Sequence, residues 1–188
     1  MIESYFHSFG IFTPEEIQQV IQLFEKREIA KHEFFIKEGN AVKEVAYIKS
    51  GIFRSYYTTT EGNESTYCFR FPHEMMTAYS AFITDGASLE NMQALTASEI
   101  WVIKKQDIAT LEKTNTNWTR FLKIIAEQQY IELEERVFQL QRDTSLQRYN
   151  NLLRKQPHYL QQIPLHYLAS YLGITPRHLS RIRSGNTL

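Results

Sequence analysis

The sequence contains a single cysteine, Cys68, among its 188 residues. One thiol forms no disulfide within the chain and is too few for an iron–sulfur cluster or a zinc finger. The sequence also lacks an uninterrupted apolar run of about 18 residues and a secretory signal, so it predicts neither a membrane span nor export. These absences favour a cytoplasmic protein in which Cys68 is a small apolar side chain of a strand.

Charged residues are balanced in number but not in position. The chain has 21 basic and 21 acidic side chains. From Thr144 onward there are 6 basic residues and no acidic one, so the preceding 143 residues hold 15 basic and 21 acidic ones. A basic terminal segment on an otherwise acidic chain indicates a polyanionic partner.

The basic segment contains the pattern of a helix-turn-helix between Ile163 and Arg183. Apolar residues at helical spacing predict a first helix, and they are Leu165, Leu168, Ala169 and Leu172. Gly173 follows at the position of a tight turn, where a positive φ is needed. Thr175 and Pro176 then form an N-cap and a first helical position, so a second helix is predicted to begin there.

The second helix has a donor-rich outer face that suits the major groove. Leu179 and Ile182 are expected to pack inward, and no carboxylate lies among the outward residues. Basic side chains match the acceptors of guanine and of phosphate oxygens. The residues predicted to contact double-stranded DNA are Thr175, Arg177, His178, Arg181 and Arg183. The alternative is that this is an ordinary packed helix pair with a solvated basic face.

The preceding part of the chain changes from helical to strand periodicity. A capping box beginning at Thr13, with Pro14 at the first helical position, predicts the opening helix. Short β-rich runs separated by turn residues follow and predict an antiparallel β-roll or jelly roll in residues 1–116. The predicted strands are 34–36, 45–48, 52–57, 66–71, 91–95 and 100–103.

Residues 117–143 contain neither glycine nor proline and predict one helix about 40 Å long. A seam repeats along it at three- and four-residue spacing, formed by Leu122, Ile125, Gln129, Leu133, Val137 and Leu140. Such a seam is typical of helices that pair with a second copy, so a homodimer is predicted. The alternative is a helix wholly buried on its own roll. A two-fold dimer would present two recognition helices to an inverted-repeat operator.

The order β-roll, long helix and helix-turn-helix resembles the Crp/Fnr family of bacterial transcription regulators. The resemblance rests on LASYLGITPRHLSRIR at the C-terminus and on the hairpin glycines Gly39 and Gly51. It implies an α+β protein with a cyclic-nucleotide-binding-like sensor roll in 1–116, a dimerisation helix in 117–143 and a helix-turn-helix domain in 144–188. It also implies RNA polymerase as a partner. The sequence contains no cupin-like ligand cluster, Gly-x-Ser-x-Gly, P-loop or G-x-G-x-x-G motif, so no enzymatic activity is expected.

The roll departs from the cyclic-nucleotide-binding pattern of that family. Members that bind cyclic nucleotides carry a Gly-Glu pair and, about ten residues later, an Arg-Ser or Arg-Thr pair. Here the matching positions hold Thr77-Ala78 and Leu89-Glu90, so the arginine that would neutralise the phosphate is missing. A nearby carboxylate would repel a cyclic phosphate, and we therefore expect no response to cAMP.

Two interpretations of the roll stay open. One is a pocket for an unknown neutral or cationic effector, lined by Tyr79, Ser80, Glu90, Asn91 and Gln93. The other is a filled roll without any effector. No cysteine cluster or histidine pair with metal-ligand spacing is present, so neither a cofactor nor a metal is expected.

The C-terminal domain also departs from the family pattern. Only a few residues separate the helix near 146–155 from the helix-turn-helix, and the sequence ends soon after the recognition helix. A reduced wing is therefore expected. A small-molecule-binding or interaction protein whose C-terminal helices do not engage DNA remains the alternative function.

Overall fold

A computed structural model describes residues 2–185 of the chain. The last three residues of the predicted DNA-binding domain, 186–188, lie outside that range. The eight strands are β1 Glu25–Ile29, β2 Phe34–Ile36, β3 Glu44–Ser50, β4 Phe53–Thr58, β5 Glu64–Arg70, β6 Met75–Met76, β7 Asn91–Ala94 and β8 Ser98–Lys104. The first helices are α1 Ile2–His7, α2 Pro14–Ile21, α3 Tyr79–Thr84 and α4 Lys105–Thr114. They are followed by α5 Thr116–Arg142, α6 Ser145–Lys155, α7 Tyr159–Gln162, α8 Leu165–Tyr171 and α9 Pro176–Arg183.

The strands form two four-stranded sheets in the orders β1-β8-β3-β6 and β2-β7-β4-β5. The strand pairs with defined register are antiparallel, as the sequence predicts. Strands of both sheets contribute to one apolar core, in which Ile48 and Ile100 of the first sheet meet Phe53, Met92 and Ala94 of the second. The α+β class with an antiparallel roll is therefore confirmed.

Two elements near the N-terminus were not predicted. The helix predicted after Thr13 is confirmed as α2, but an unpredicted helix, α1, precedes it. In α1, Ile2 and Phe6 are buried, and Phe6 packs edge-on against Trp118 of α5. β1 was missed because its sequence, EKREI, is mostly charged, and it is held by pairing with β8.

Contacts divide the chain into two compact units. The first runs up to Tyr57 and resumes with Cys68–Ile125. The second joins Thr58–Tyr67, the tip of the β4–β5 hairpin, to the chain from Ala126 onward. The long helix is thus shared: Phe121 is buried in the core of the first unit, whereas the residues from Ala126 onward are grouped with the C-terminal helices.

Residues 105–185 contain helices but no strand in the part that the structure describes. The short segment before the helix-turn-helix forms α7, where Tyr159 is buried. In the described part of this region, a helical turn therefore occupies the place where a β wing would precede the first helix of the motif. No helix within residues 2–185 is long and apolar enough to cross a membrane.

Gly51 stands at a tight turn of the first unit with a φ of +96°. A Cβ atom there would lie 2.8 Å from the Cα of Ser98, closer than side chains tolerate. Gly39 has a similar φ of +84° but open space around it. We expect Gly39→Ala to lower the free energy of unfolding by about 1–2 kcal/mol through the left-handed backbone alone. Gly51→Ala should cost a further 1–3 kcal/mol, roughly, because of overpacking.

Urea unfolding of the two glycine variants measures both effects. Equal losses in Gly39→Ala and Gly51→Ala would show that the contact with Ser98 has no part in the cost.

Candidate nucleic-acid interface and effector site

The turn between α8 and α9 is closed by a paired set of backbone hydrogen bonds. The N–H of Gly173 donates to the carbonyl of Ser170, and that of Ile174 donates to the carbonyl of Ala169, both at 3.0 Å. Gly173 has a φ of +67°. This is the Schellman arrangement, in which a left-handed residue just past the helix satisfies its last carbonyls. The glycine that the sequence places at the turn is therefore required by the backbone.

Two arginines donate hydrogen bonds to carbonyl groups at the C-terminal end of α8. Arg136 of α5 stacks on the Tyr171 ring with its guanidinium 4.1 Å from the centroid, and it donates to the Tyr171 carbonyl. Arg148 of α6 donates to the Leu172 carbonyl at 2.9 Å. Cations at this end also oppose the negative pole of the helix dipole. Sequence reasoning missed both residues, since nothing in their spacing shows that they cap a helix distant in the chain.

Helix α9 begins as predicted. The Thr175 hydroxyl accepts a hydrogen bond from the His178 N–H at 3.2 Å, and Pro176 occupies the first helical position. Leu179 and Ile182 are buried, and Ala169 of α8 is fully buried. A small residue at that point permits close packing of the two helices. The apolar side of α9 is therefore fixed, and the rotation of the helix is fixed with it.

That rotation exposes the basic side chains. Arg177, His178, Arg181 and Arg183 are all exposed. At 100° per residue, Arg177 and Arg181 lie opposite the buried pair, whereas His178 and Arg183 lie at the two edges of the exposed face. No carboxylate within residues 2–185 forms an ion pair with these three arginines. The geometry suits two central side chains for base edges and flanking ones for phosphates.

The hydroxyl of Ser170, on α8, connects that helix to the hairpin segment of the same unit. It accepts from the Thr66 N–H at 2.9 Å and donates to the Glu64 carbonyl at 3.2 Å. A hydroxyl serves both functions because it carries one donor and two acceptor lone pairs. Thr66 is buried, so its amide depends on this bond.

We expect Ser170→Ala to accelerate hydrogen exchange at the Thr66 amide, since the substitution removes the acceptor of a buried donor. Ser180→Ala is the matched control, because the Ser180 hydroxyl bonds only to its own helix at Pro176. Exchange at Thr66 that stays unchanged in Ser170→Ala would contradict the assigned bond. Amide exchange followed by NMR gives the comparison.

The long helix leaves apolar side chains exposed in its C-terminal half. Leu122 and Ile125 pack against the core of the first unit, and Gln129 is half-buried. Further along, the predicted seam residues are exposed: Leu133, Val137 and Leu140. A helix wholly buried on its own roll is therefore wrong for this half.

The predicted effector-pocket residues do not share one surface. Asn91 accepts from the Glu38 N–H at 3.0 Å, and the Gln93 amide donates to the His32 carbonyl at 2.9 Å. Both alternate along β7 with Met92 and Ala94, which face the core. Asn91 and Gln93 thus point away from it. Tyr79 is half-buried at the start of α3, and Ser80 beside it is exposed.

Glu90 differs from the other candidates because its carboxylate is directed inward. Its Oε2 has no solvent contact and no hydrogen-bond partner in the described structure. Burial raises the pKa of Glu90 to about 7, with the guanidinium of Arg70 opposing the increase. The neighbouring Leu89, in the place of the missing arginine, is 76% exposed. No cationic side chain thus stands at either of these two positions.

A cavity lies in the first unit, and none of the predicted effector-pocket residues lines it. It has a volume of about 610 Å³ and is bordered by the loop before β3 and by the start of α4. Two of the three lysines that line it have carboxylate partners: Lys104 pairs with Glu25 at 2.6 Å, and Lys105 pairs with Asp85 at 2.7 Å. Within residues 2–185 no cluster of three or more metal-ligating side chains occurs.

Comparison with known proteins first assigns the class of domain. Residues 26–115 match the cyclic nucleotide-binding domain family. This range contains all eight strands except the first residue of β1. No curated protein matches the chain.

Solved structures extend the likeness over most of the chain. FixK2 from Bradyrhizobium japonicum superposes with a TM-score of 0.76 at 17% identity, covering 86% of this chain and 83% of that one. A putative regulator of the Crp/Fnr family from Eubacterium rectale gives 0.74 at 14% identity, covering 97% and 87%. The c-di-GMP-responsive global regulator CLP from Xanthomonas campestris gives 0.71 at 16% identity, covering 90% and 89%. The predicted resemblance to Crp/Fnr transcription regulators is thereby confirmed at the level of the fold.

Proposed function

We propose that this protein is a homodimeric, sequence-specific DNA-binding transcriptional regulator of the Crp/Fnr type that does not respond to cAMP. The observation that carries the proposal is α9, whose buried side is fixed by Leu179 and Ile182 and whose exposed side presents Arg177 and Arg181. A helix held by one face and basic on the other meets the requirement for reading the major groove.

Dimerisation is supported by the apolar surface of α5. Leu133, Val137 and Leu140 are 47%, 38% and 45% exposed in the single chain. Helical spacing places them along one strip, and a second copy of α5 is the partner that would bury it symmetrically. Two recognition helices related by a two-fold axis would then engage half-sites one DNA turn apart.

The lack of a cAMP response is supported by Glu90. Its inward carboxylate occupies the region where a cyclic-nucleotide site needs positive charge. An anionic phosphate brought there would lose its hydration and be repelled by the Glu90 carboxylate, and both effects oppose this arrangement.

Selection from a random duplex library by the purified protein tests the DNA-binding function. We expect an inverted repeat with half-site centres about 10–11 base pairs apart. In a titration of the recovered operator, Arg181→Ala should weaken binding by about 1–3 kcal/mol, the usual contribution of a base contact. Fluorescence anisotropy at fixed salt measures this loss.

Arg154→Ala is the control for the loss of a positive charge, since Arg154 lies on α6 and donates to Asn151. If selection recovers no motif, or if Arg181→Ala enriches the same fragments with equal affinity, base reading by α9 is refuted. The result would then favour an interaction or small-molecule-binding protein whose C-terminal helices do not engage DNA.

A further inference from the structure

The cavity of the first unit, between the segment before β3 and the start of α4, has the size of a ligand site. Its volume of about 610 Å³ falls within the range of about 300–1,000 Å³ that is typical of pockets for small organic molecules. The apolar residues that line it are Phe35, Ile36, Ala41, Val42 and Ala109. Ile36 and Val42 are buried in the hydrophobic core, so packing fixes this part of the wall.

Backbone hydrogen bonds hold the sides of the cavity together. The N–H of Lys105, at the start of α4, donates to the carbonyl of Lys43 at 2.8 Å. Ala41 forms an antiparallel β-bridge with Ala87, in the segment that follows α3. The cavity is therefore formed before any ligand enters, and binding does not have to order its walls.

The charges around the cavity do not cancel. Three lysines and two carboxylates line it, which leaves an excess of one positive charge. Lys104 and Lys105 each have a carboxylate partner, and Glu44 is paired with Arg27 at 2.9 Å. No carboxylate within residues 2–185 forms an ion pair with Lys43. Lys43 thus supplies an unmatched ammonium group at an otherwise neutralised cavity.

This combination specifies the chemistry of a ligand. Removal of an apolar body from water against the apolar wall would favour binding. The Lys43 ammonium can donate up to three hydrogen bonds, and an ionised acceptor gives the strongest of these bonds. A single negative charge matches the single excess positive charge, whereas a dianion would be repelled by the two lining carboxylates.

We propose that this cavity binds a small organic monocarboxylate with an apolar body, whose carboxylate is bound by Lys43. None of the residues assigned to DNA recognition or to the predicted effector pocket lines the cavity. The proposal goes beyond the proposed function, because binding at this site requires neither DNA nor a second copy of the chain.

The probe is 4-phenylbutyrate, and 4-phenylbutyramide is its uncharged counterpart with the same apolar body. At pH 8 and low salt, millimolar 4-phenylbutyrate should raise the Tm of the full chain by about 2–4 °C. The amide and inorganic phosphate, at the same concentration, should leave the Tm unchanged, since each lacks one of the two features that the cavity matches.

Two variants assign the effect to the cavity. Lys43→Gln removes the charge of an exposed side chain and should abolish the shift. Ala109→Leu should also abolish it while Lys43 is retained, because the larger side chain fills the cavity from α4. Lys31→Gln is the matched control for the loss of one positive charge, since Lys31 is exposed and does not line the cavity.

Three results would overturn the proposal. They are no Tm shift with 4-phenylbutyrate, an equal shift with the amide or with phosphate, and a shift that persists in Lys43→Gln or Ala109→Leu. The measurement uses protein without DNA, so its outcome is independent of the operator selection. An absent shift leaves the DNA-binding proposal standing, and a failed selection leaves the carboxylate site standing.

Discussion

Replacing Leu133 and Val137 together with glutamate is expected to prevent formation of the proposed dimer and to leave a monomer. Both side chains lie on one strip of α5 and are exposed in the single chain, so the substitutions should not unfold it. In a symmetric pair of helices, four carboxylates would meet across the seam, where desolvation and like charge both oppose contact. Sedimentation velocity measures the change of mass.

Loss of the dimer should also weaken operator binding by about 10²–10⁴-fold, because the second half-site then no longer binds within the same complex. The matched control is Ile131→Glu with Phe138→Glu. These residues are 54% and 50% exposed, but the helical repeat places them on the opposite side of α5. If this control dissociates the dimer and the Leu133/Val137 variant does not, the seam has been assigned to the wrong face.

Glu90 is expected to give the free energy of unfolding an unusual dependence on pH. Burial raises its folded-state pKa to about 7 from an ordinary value of 4.5. Between these values the folded chain holds a proton that the unfolded chain has lost, so stability falls as the pH rises through this window. Because one pKa unit corresponds to about 1.4 kcal/mol, the total loss between pH 4.5 and pH 7 should be about 3 kcal/mol.

Glu90→Gln removes the titrating group and should make stability nearly independent of pH in that window. Glu99→Gln is the comparison, because the pKa of Glu99 is lowered in the folded chain rather than raised. The hydrogen bond from Trp101 is the largest of the effects that lower the pKa of Glu99, so its contribution is lost only as the pH falls below about 4.5. Urea unfolding from pH 4 to pH 8 distinguishes the two. A wild-type curve parallel to that of Glu90→Gln would mean that Glu90 is not buried as described.

The helix boundaries follow closely from local chemistry. The capping box at Thr13 is formed by reciprocal bonds with Glu16, and the Thr175 cap starts α9 at the predicted residue. The long helix was predicted for 117–143 and spans Thr116–Arg142. Such signals can be recognised in the sequence because the groups that form them lie within four residues of one another.

The features that the sequence did not predict depend on contacts between residues distant in the chain. β1 is a strand because β8 and the Arg27–Glu44 ion pair, at 2.9 Å, hold its charged residues in place. The pairing of Ser55 with Met92 requires the register of β4 and β7. For the same reason, Asn91 and Gln93 were grouped with Glu90 in sequence, although in the fold they bond to the Glu38 N–H and the His32 carbonyl, whereas Glu90 Oε2 is buried.

The arginine caps of α8 have a consequence for how the protein would search DNA. Of the six basic residues after Thr144, Arg148 is bound to carbonyls and Lys155 is paired with Glu135 at 2.8 Å. Fewer cations than the sequence suggests are thus available to displace counterions from a duplex, and each phosphate neutralised contributes a slope of about −0.9 to the salt dependence of binding. Residence on random DNA would accordingly be brief, and occupancy of an operator would depend mainly on base contacts.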